Sequence, residues 1–264
     1  MPQIDGKTVF DGVAELYDEA RPSYPEDLVA DALAYADLPA DGRILEIGCG
    51  PGKATVRFAK YGYQMLCVEP GPNLVAIARE KCKGYPVEFM VCSFEDCPLP
   101  ENEFGLAFAA SAFHWLEPSI AFLKIAQALK ANGVLAILQN RQCGLGSGVC
   151  REMNELAYHV HAPEMERDYS GDEQARLDAR NKILTDEIEG SGFFGEVTVK
   201  TYPFTKEYTT GQYLRLLETY SNHRVLPEDQ KRALYQAIGE IIDRHGGRLT
   251  RQYVSTLFLA RRKP

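Results

Sequence analysis

The chain has 264 residues, enough for one large domain or one domain with an elaboration, and 45% of them are hydrophobic against 25% charged, the balance of a globular protein and not of a disordered one. Lys and Arg number 29 against 37 Asp and Glu, a net charge of −8, so nucleic acid, which normally meets a basic face, is not the expected partner. The opening residues, MPQIDGKTVFDG, lack a basic start followed by an apolar run, and no apolar run approaches the roughly 18 residues of a membrane span, so neither a secretory leader nor a membrane partner is expected. Seven Cys cannot all pair within one chain; Cys67 and Cys92 sit in apolar segments, as buried thiols of a reducing compartment do, and the expected location is cytoplasmic.

In chain order, Arg43 to Ile47 is short, apolar and followed at once by glycines, which predicts a buried strand entering a tight turn. GKATVRFAKYG, from Gly52 to Gly62, predicts a helix with Val56, Phe58 and Ala59 inward. Gln64 to Glu69 predicts a second strand, and Asn73 to Lys83 a helix apolar at Leu74, Ile77 and Ala78. Val87 to Cys92 and Phe104 to Ala110 predict two more strands. Ser119 to Ala131 predicts a helix with Ile120, Leu123 and Leu129 on its inner side, stopped by Asn132-Gly133, and Val134 to Leu138 predicts a fifth strand. Strands alternating with helices mean a parallel sheet with helices on both faces.

The alternation then breaks. Residues 144–190 are helix-like and polar, without a strand signal. Glu196 to Tyr208 is strand-like, with Pro203 suited to a bulge or an edge. Pro227 to Arg244 predicts a helix, with Pro227 at its first position and Gly246-Gly247 at its end, and Thr250 to Arg261 predicts the strand that ends the sheet. The expected division is a single domain with an arm at 1–40, a cofactor-binding half at 41–143, a helical cap at 144–190 and a part completing the sheet at 191–264.

The sharpest signal is LEIGCGPGK, Leu45 to Lys53. A strand that ends in glycines before a helix lets backbone approach a ligand closely, and the helix start adds free N–H groups. The dinucleotide fingerprint G-x-G-x-x-G is not met, because Lys53 stands where the third glycine belongs and Gly52 comes one position early; the phosphate-binding G-x-x-x-x-G-K-[ST] spacing is not met either. Instead E-x-G-C-G-x-G resembles motif I of the class I methyltransferases that use S-adenosylmethionine. Glu69 closes the second strand 19 positions after Gly50; Ser93-Phe94-Glu95 follows the third strand and Ser111 to Trp115 the fourth, so the resemblance runs almost continuously from Met1 to Leu138.

The resemblance implies a Rossmann-like, seven-stranded, mostly parallel sheet and S-adenosylmethionine as cofactor. It implies backbone N–H groups from Gly48 through Cys49 and Gly50 to Gly52 on the methionine carboxylate, Glu69 on the ribose diol, Pro70 and Phe94 around the adenine, Ser93 and Glu95 near the adenine edge, and Ser111 and Ala112 facing the methyl donor. Glu46 is either a ligand or a support of the loop. FDGVAELYDEARPSYP, from Phe10 to Pro25, resembles the arm that closes over the cofactor in small-molecule methyltransferases; Tyr17, Arg21 and Tyr24 stand at helical spacings and can share a face, with Arg21 either on the methionine carboxylate or paired with Asp18 or Asp27.

On the acceptor side, the N/D-P-P-Y of amino methylation and the Pro-Cys of base-carbon methylation are absent after the fourth strand. Ala112 to Trp115, A-F-H-W, resembles the trans-aconitate type that acts on small carboxylic acids. Tyr24, Phe113, Trp115, Arg141 and His223 are the candidate acceptor contacts; His114 is a candidate base, an orienting donor, or a histidine satisfied by backbone. Arg224, beside His223, is a second candidate anchor for an acidic acceptor. No Cys/His spacing matches a zinc site, so no metal is expected. The expected function is methyl transfer to a small molecule, on a carboxylate or hydroxyl oxygen, by a monomer or homodimer; the alternatives are a protein that binds S-adenosylmethionine without transfer, or an NAD(P)-dependent oxidoreductase.

Overall fold

A computed structural model describes residues 11–143, 148–166 and 172–264. The arm's first ten residues, Phe10 among them, and residues 144–147 and 167–171 of the expected cap lie outside the described residues. A 3-10 turn, Asp11–Val13, leads into α1 (Ala14–Ala20), and α2 (Glu26–Ala36) follows. Strands β1 (Arg43–Ile47), β2 (Gln64–Glu69), β3 (Val87–Val91), β4 (Phe104–Ala110) and β5 (Leu129–Cys143) alternate with α3 (Thr55–Ala59), α4 (Pro72–Lys81) and α5 (Pro118–Ala128). Then come α6 (Gly148–Glu152), a π-helical turn at Met153–Tyr158, α7 (His159–His161), a 3-10 turn at Pro163–Met165 and α8 (Glu173–Gly190). The chain closes with β6 (Thr198–Thr209), α9 (Thr210–Leu217), α10 (Ser221–Arg224), α11 (Glu228–Arg244) and β7 (Arg248–Arg261).

The seven strands form one sheet in the order β3-β2-β1-β4-β5-β7-β6. All neighbours from β3 to β5 are parallel, and β7 is antiparallel to both β5 and β6. Side chains alternate between the two faces, as strand geometry requires. Ile44, Met65, Cys67 and Leu106 face the layer of α2 and α3, with Leu28, Val29 and Phe58. Leu45, Ile47, Leu66 and Val68 face the opposite layer, where α5 brings Phe122 and Ile125 and α8 brings Leu184 and Ile188. A third cluster gathers Cys150, Met153 and Ala157 with Tyr213, Leu216, Leu234 and Ile238 against Tyr208 of β6 and Leu249 and Tyr253 of β7.

Several elements depart from expectation. Helix α3 begins only at Thr55, because Gly52 holds φ +80, a left-handed backbone that no helix can include. Helix α5 ends at Ala128; Leu129 is extended and pairs with Phe104, and Asn132, at φ +59, sits at the register shift of β5 and is not a helix stop. The buried side of α5 is Ala121, Phe122 and Ile125, leaving Ile120 and Leu123 43% and 42% exposed, so the inner face assigned from the sequence was rotated by about one residue. Pro227 caps α11 from outside its first turn, and β7 lies between β5 and β6, so the edge strand is β6, where Pro203 removes no needed hydrogen bond. Among the described residues, no helix is long and apolar enough to cross a membrane.

Candidate active site

The carboxyl ends of β1, β2 and β4 and the loop after β3 open into one cavity of about 860 Å³, within the range of small-molecule sites. This is the crevice where open α/β sheets bind ligands, next to the reversal of strand order between β1 and β4. Its floor is the glycine turn. Gly48 holds φ +67, and a Cβ there would stand 2.5 Å from Ala112 Cβ, so only glycine lets the end of β4 cross so near. A Cβ on Gly50, at φ +53, would meet nothing within 4 Å, because that residue faces the open cavity.

The turn's N–H groups do not face a ligand as expected. Gly48 and Cys49 both donate to Val68 O, Gly50 donates to Glu69 Oε2 at 2.9 Å, Gly52 donates to Cys49 O, and Pro51 has no N–H. The turn therefore supplies clearance, not a nest of donors. Gly52 faces away from the cavity, where a Cβ would press on Ala78 at 3.1 Å. Glu69 lines the cavity and accepts one backbone N–H on each oxygen, from Gly50 and from Gly71 at 3.0 Å. A carboxylate has about four acceptor positions, so roughly two remain for a diol. Burial nonetheless raises its pKa above the usual carboxylate range.

Glu46 is fully buried beneath the turn and is not part of the cavity wall. Its side chain points to the α2–α3 face, where Cys67 Sγ donates to Oε2 at 3.5 Å, and burial pushes its pKa up to about 8. Such a carboxyl is mostly protonated near neutral pH, and its hydrogen bond runs to Cys67 of β2 and not to the cavity.

The arm brings Tyr17, Arg21, Pro22 and Tyr24 to the cavity, but not from one helix face. Tyr17 is on α1, Arg21 is its extended C-cap, and Tyr24 lies in the link to α2. Arg21 pairs with neither Asp18 nor Asp27. It donates from Nε to Thr219 Oγ1 at 2.8 Å and from Nη2 to Thr219 O at 2.6 Å, with its guanidinium 4.3 Å from the Tyr220 ring centre. Asp18 is taken by Lys81, and Lys53 Nζ stands 3.6 Å from it. Tyr24 donates to Ser111 Oγ at 2.8 Å. Ser111 holds φ +53 without being glycine, backbone strain placed at the cavity wall.

Pro70, Ser93, Phe94, Glu95 and Leu116 form the side beyond β2 and β3. Ser93 Oγ donates to Asp96 Oδ2 at 2.7 Å, and Lys124 crosses behind Phe94 to donate to Glu95 O and Cys97 O. The opposite side holds Trp115 and Arg141, together with residues the sequence did not single out: Asn140, Gln142 and Cys143 from β5, Glu173, Arg176, Leu177 and Arg180 from α8, Tyr220, and Tyr253 from β7. Lys53 also lines the cavity, with its pKa pushed down to about 8, first by burial and against the pull of Asp18.

Three expected acceptor residues lie elsewhere. Phe113 is buried in the core, its ring 5.1 Å from that of Phe122. His114 is an exposed residue outside the cavity wall, its ring against Trp115; desolvation, then the charges of Arg141 and Arg21, hold its imidazole below the usual range. His223 is buried on α10, with Nε2 3.3 Å from Tyr158 Oη, beside a separate cavity of about 90 Å³.

The comparisons agree with this geometry. The sequence model of a methyltransferase domain family matches residues 45–137. An uncharacterized methyltransferase of Mycobacterium tuberculosis is 30% identical over 148 residues, which are 56% of this chain and only 58% of that protein's length. An uncharacterized methyltransferase-like protein of Schizosaccharomyces pombe is 28% identical over 244 residues, 90% of this chain and 87% of its own. Among solved structures, one described as a type II methyltransferase from Anaeromyxobacter dehalogenans superposes with a TM-score of 0.65 at 20% identity, covering 92% of this chain and 99% of that one. Phosphoethanolamine N-methyltransferase 2 of Haemonchus contortus, solved with phosphomonomethylethanolamine and S-adenosylhomocysteine, gives 0.55 at 16% identity over 99% of this chain and 59% of that one. Residues 45–137 therefore resemble a methyltransferase domain, the chain spans little more than half the length of the mycobacterial relative, and its fold is that of the solved methyltransferases. The cleared glycine turn and the half-used Glu69 carboxylate fit S-adenosylmethionine.

Proposed function

We propose that the protein transfers a methyl group from S-adenosylmethionine to an oxygen, carboxylate or hydroxyl, of a small molecule held in the same cavity. The observation that carries this reading is the composition of the wall: residues of the cofactor motif, an arm and a cap helix enclose one space of about 860 Å³. An enclosed, partly apolar space on an acidic protein suits a small acceptor better than a polymer. S-adenosylmethionine supplies an electrophilic methyl on a sulfonium. Glu69 accepts from the ribose diol with its remaining lone pairs, and Pro70 and Phe94 flank the adenine. Lys53 and the uncommitted N–H groups of Arg21 face the methionine carboxylate in place of the spent turn amides. Tyr17 and Tyr24 exclude water at the methyl.

In-line displacement at a methyl carbon depends mostly on orientation and desolvation. His114, outside the wall, is not needed for an acceptor that is already ionised. Incubating the full chain with methyl-labelled S-adenosylmethionine and a metabolite extract tests the proposal. Label in a small acidic or neutral molecule is the expected result. Label only in protein or nucleic acid, or binding without transfer, contradicts it.

A further inference from the structure

We propose that Arg141 and Arg180 form an oxyanion subsite on the acceptor side of the cavity, holding an anionic handle of the acceptor that is distinct from the oxygen being methylated; this rests on the reading of the cavity as a methyl-transfer site. Arg141 projects from the end of β5 and Arg180 from the middle of α8, and both line the cavity. Among the described residues, neither forms an ion pair with a carboxylate. Arg141 donates to the uncharged Gln139 Oε1 at 2.7 Å, while its Nε is buried without a hydrogen bond. Elsewhere the chain's arginines find carboxylates readily: Arg43 with Glu103, Arg57 with Glu26, Arg215 with Glu19, Arg244 with Glu152.

Here the two guanidiniums act on each other instead. Burial first, and then the charge of Arg180, lowers the pKa of Arg141. Arg141 is half-buried in the wall and Arg180 is exposed at it, and an oxyanion between two like charges that line one cavity lowers their repulsion. A guanidinium fork matches carboxylate and phosphate equally well. Arg176, one turn before Arg180, lines the same wall, and Trp115 and Leu177 add apolar surface for the body of the acceptor.

The held anion is a handle and not the nucleophile, because hydrogen bonds from guanidinium draw electron density away from an oxygen that must attack carbon. The acceptor class is therefore a small organic acid or phosphorylated molecule with a second, less restrained oxygen. Methylation forms the bond from that oxygen to the methyl carbon and breaks the carbon–sulfur bond. The electron pair goes to sulfur, and any hydroxyl proton passes to solvent.

Titration calorimetry on the full chain saturated with S-adenosylhomocysteine tests the subsite, with benzoate, phenyl phosphate and neutral benzamide as probes. The expected result is binding of benzoate, phenyl phosphate or both, the stronger naming the anion type, with none of benzamide. Arg141→Ala and Arg180→Ala each weaken that binding about 10- to 100-fold. Arg180→Lys recovers part of it, since charge returns without the fork. Arg232→Ala, on the outer face of α11, changes nothing. S-adenosylhomocysteine affinity stays at the wild-type value in every variant, so loss of the cofactor reading would appear separately. Equal binding of benzamide, undiminished binding in both alanine variants, or no anion binding at all overturns the proposal. A labelled transfer product without a remaining anionic group overturns the handle.

Discussion

Gly48 and Ala112 meet so closely that a single methyl group decides whether β1 and β4 can end side by side. Gly48→Ala both strains a left-handed backbone and sets two Cβ atoms 2.5 Å apart, and neither contact is the far end of a flexible chain. It is expected to cost about 1–3 kcal/mol in urea unfolding. A variant as stable as wild type would mean that the strand ends lie farther apart. Glu46 gives a pH signature. Its folded pKa, about 8, lies above that of an unfolded carboxyl, so the folded state binds the proton more tightly. Its contribution to stability is complete below the unfolded pKa, about 4.3, and is lost as pH rises through the folded value. Glu46→Gln, an isostere of the protonated acid, is expected to flatten the decline of unfolding free energy between about pH 5 and pH 8. Parallel curves for the two proteins would show that Glu46 does not titrate in this window. At this scale the glycine motif and Glu69 were legible because residue type and spacing carry them. The direction of the turn's N–H groups was not, because Val68 and Glu69, on the neighbouring strand, take those donors.

The arm is held as an element by contacts that local sequence does not announce. Helix α4 has no capping side chain of its own. Asp11, from the arm, accepts from Asn73 N at 2.8 Å and Leu74 N at 3.1 Å and so caps it from a distance of 62 residues in the chain. Asp11→Ala is expected to weaken S-adenosylhomocysteine binding and to speed amide exchange in α1, while the core strands keep wild-type protection. Unchanged exchange in α1 would show that the arm is fastened by Asp18 and Arg21 alone. Helix α8 belongs to two environments. Leu184 and Ile188 pack in the sheet's core, while Leu177, Arg176 and Arg180 face the cavity. Its low apolar content concealed both faces, which is why 144–190 read as one polar cap. In α5 the error was of phase: Ile120 and Leu123 are apolar enough to suggest an inner side, but Phe122 and Ile125 are the residues that reach Phe194 and the sheet.

Over the whole molecule, alternating strands and helices up to β5 predicted the parallel half of the sheet, since each right-handed crossover leaves few other arrangements. What followed β5 was less legible, because β7 pairs with β5 across more than a hundred residues of chain and the helices between them divide between the sheet's core and a third cluster with β6 and β7. In the proposed site the cofactor half is written in local motifs, while the opposite wall of the cavity is assembled from β5, α8, Tyr220 and β7 by tertiary packing. The central claim, that this cavity is built for S-adenosylmethionine, is tested most directly by thermal unfolding with added ligand. At a hundredfold excess over Kd a ligand adds about 2.7 kcal/mol to the native state, enough to move the midpoint by several degrees. S-adenosylmethionine and S-adenosylhomocysteine are expected to raise the midpoint of the wild-type chain, with the shift reduced in Glu69→Ala, and NAD to leave it in place. A shift with NAD equal to that with S-adenosylhomocysteine, or none with either, would contradict the account.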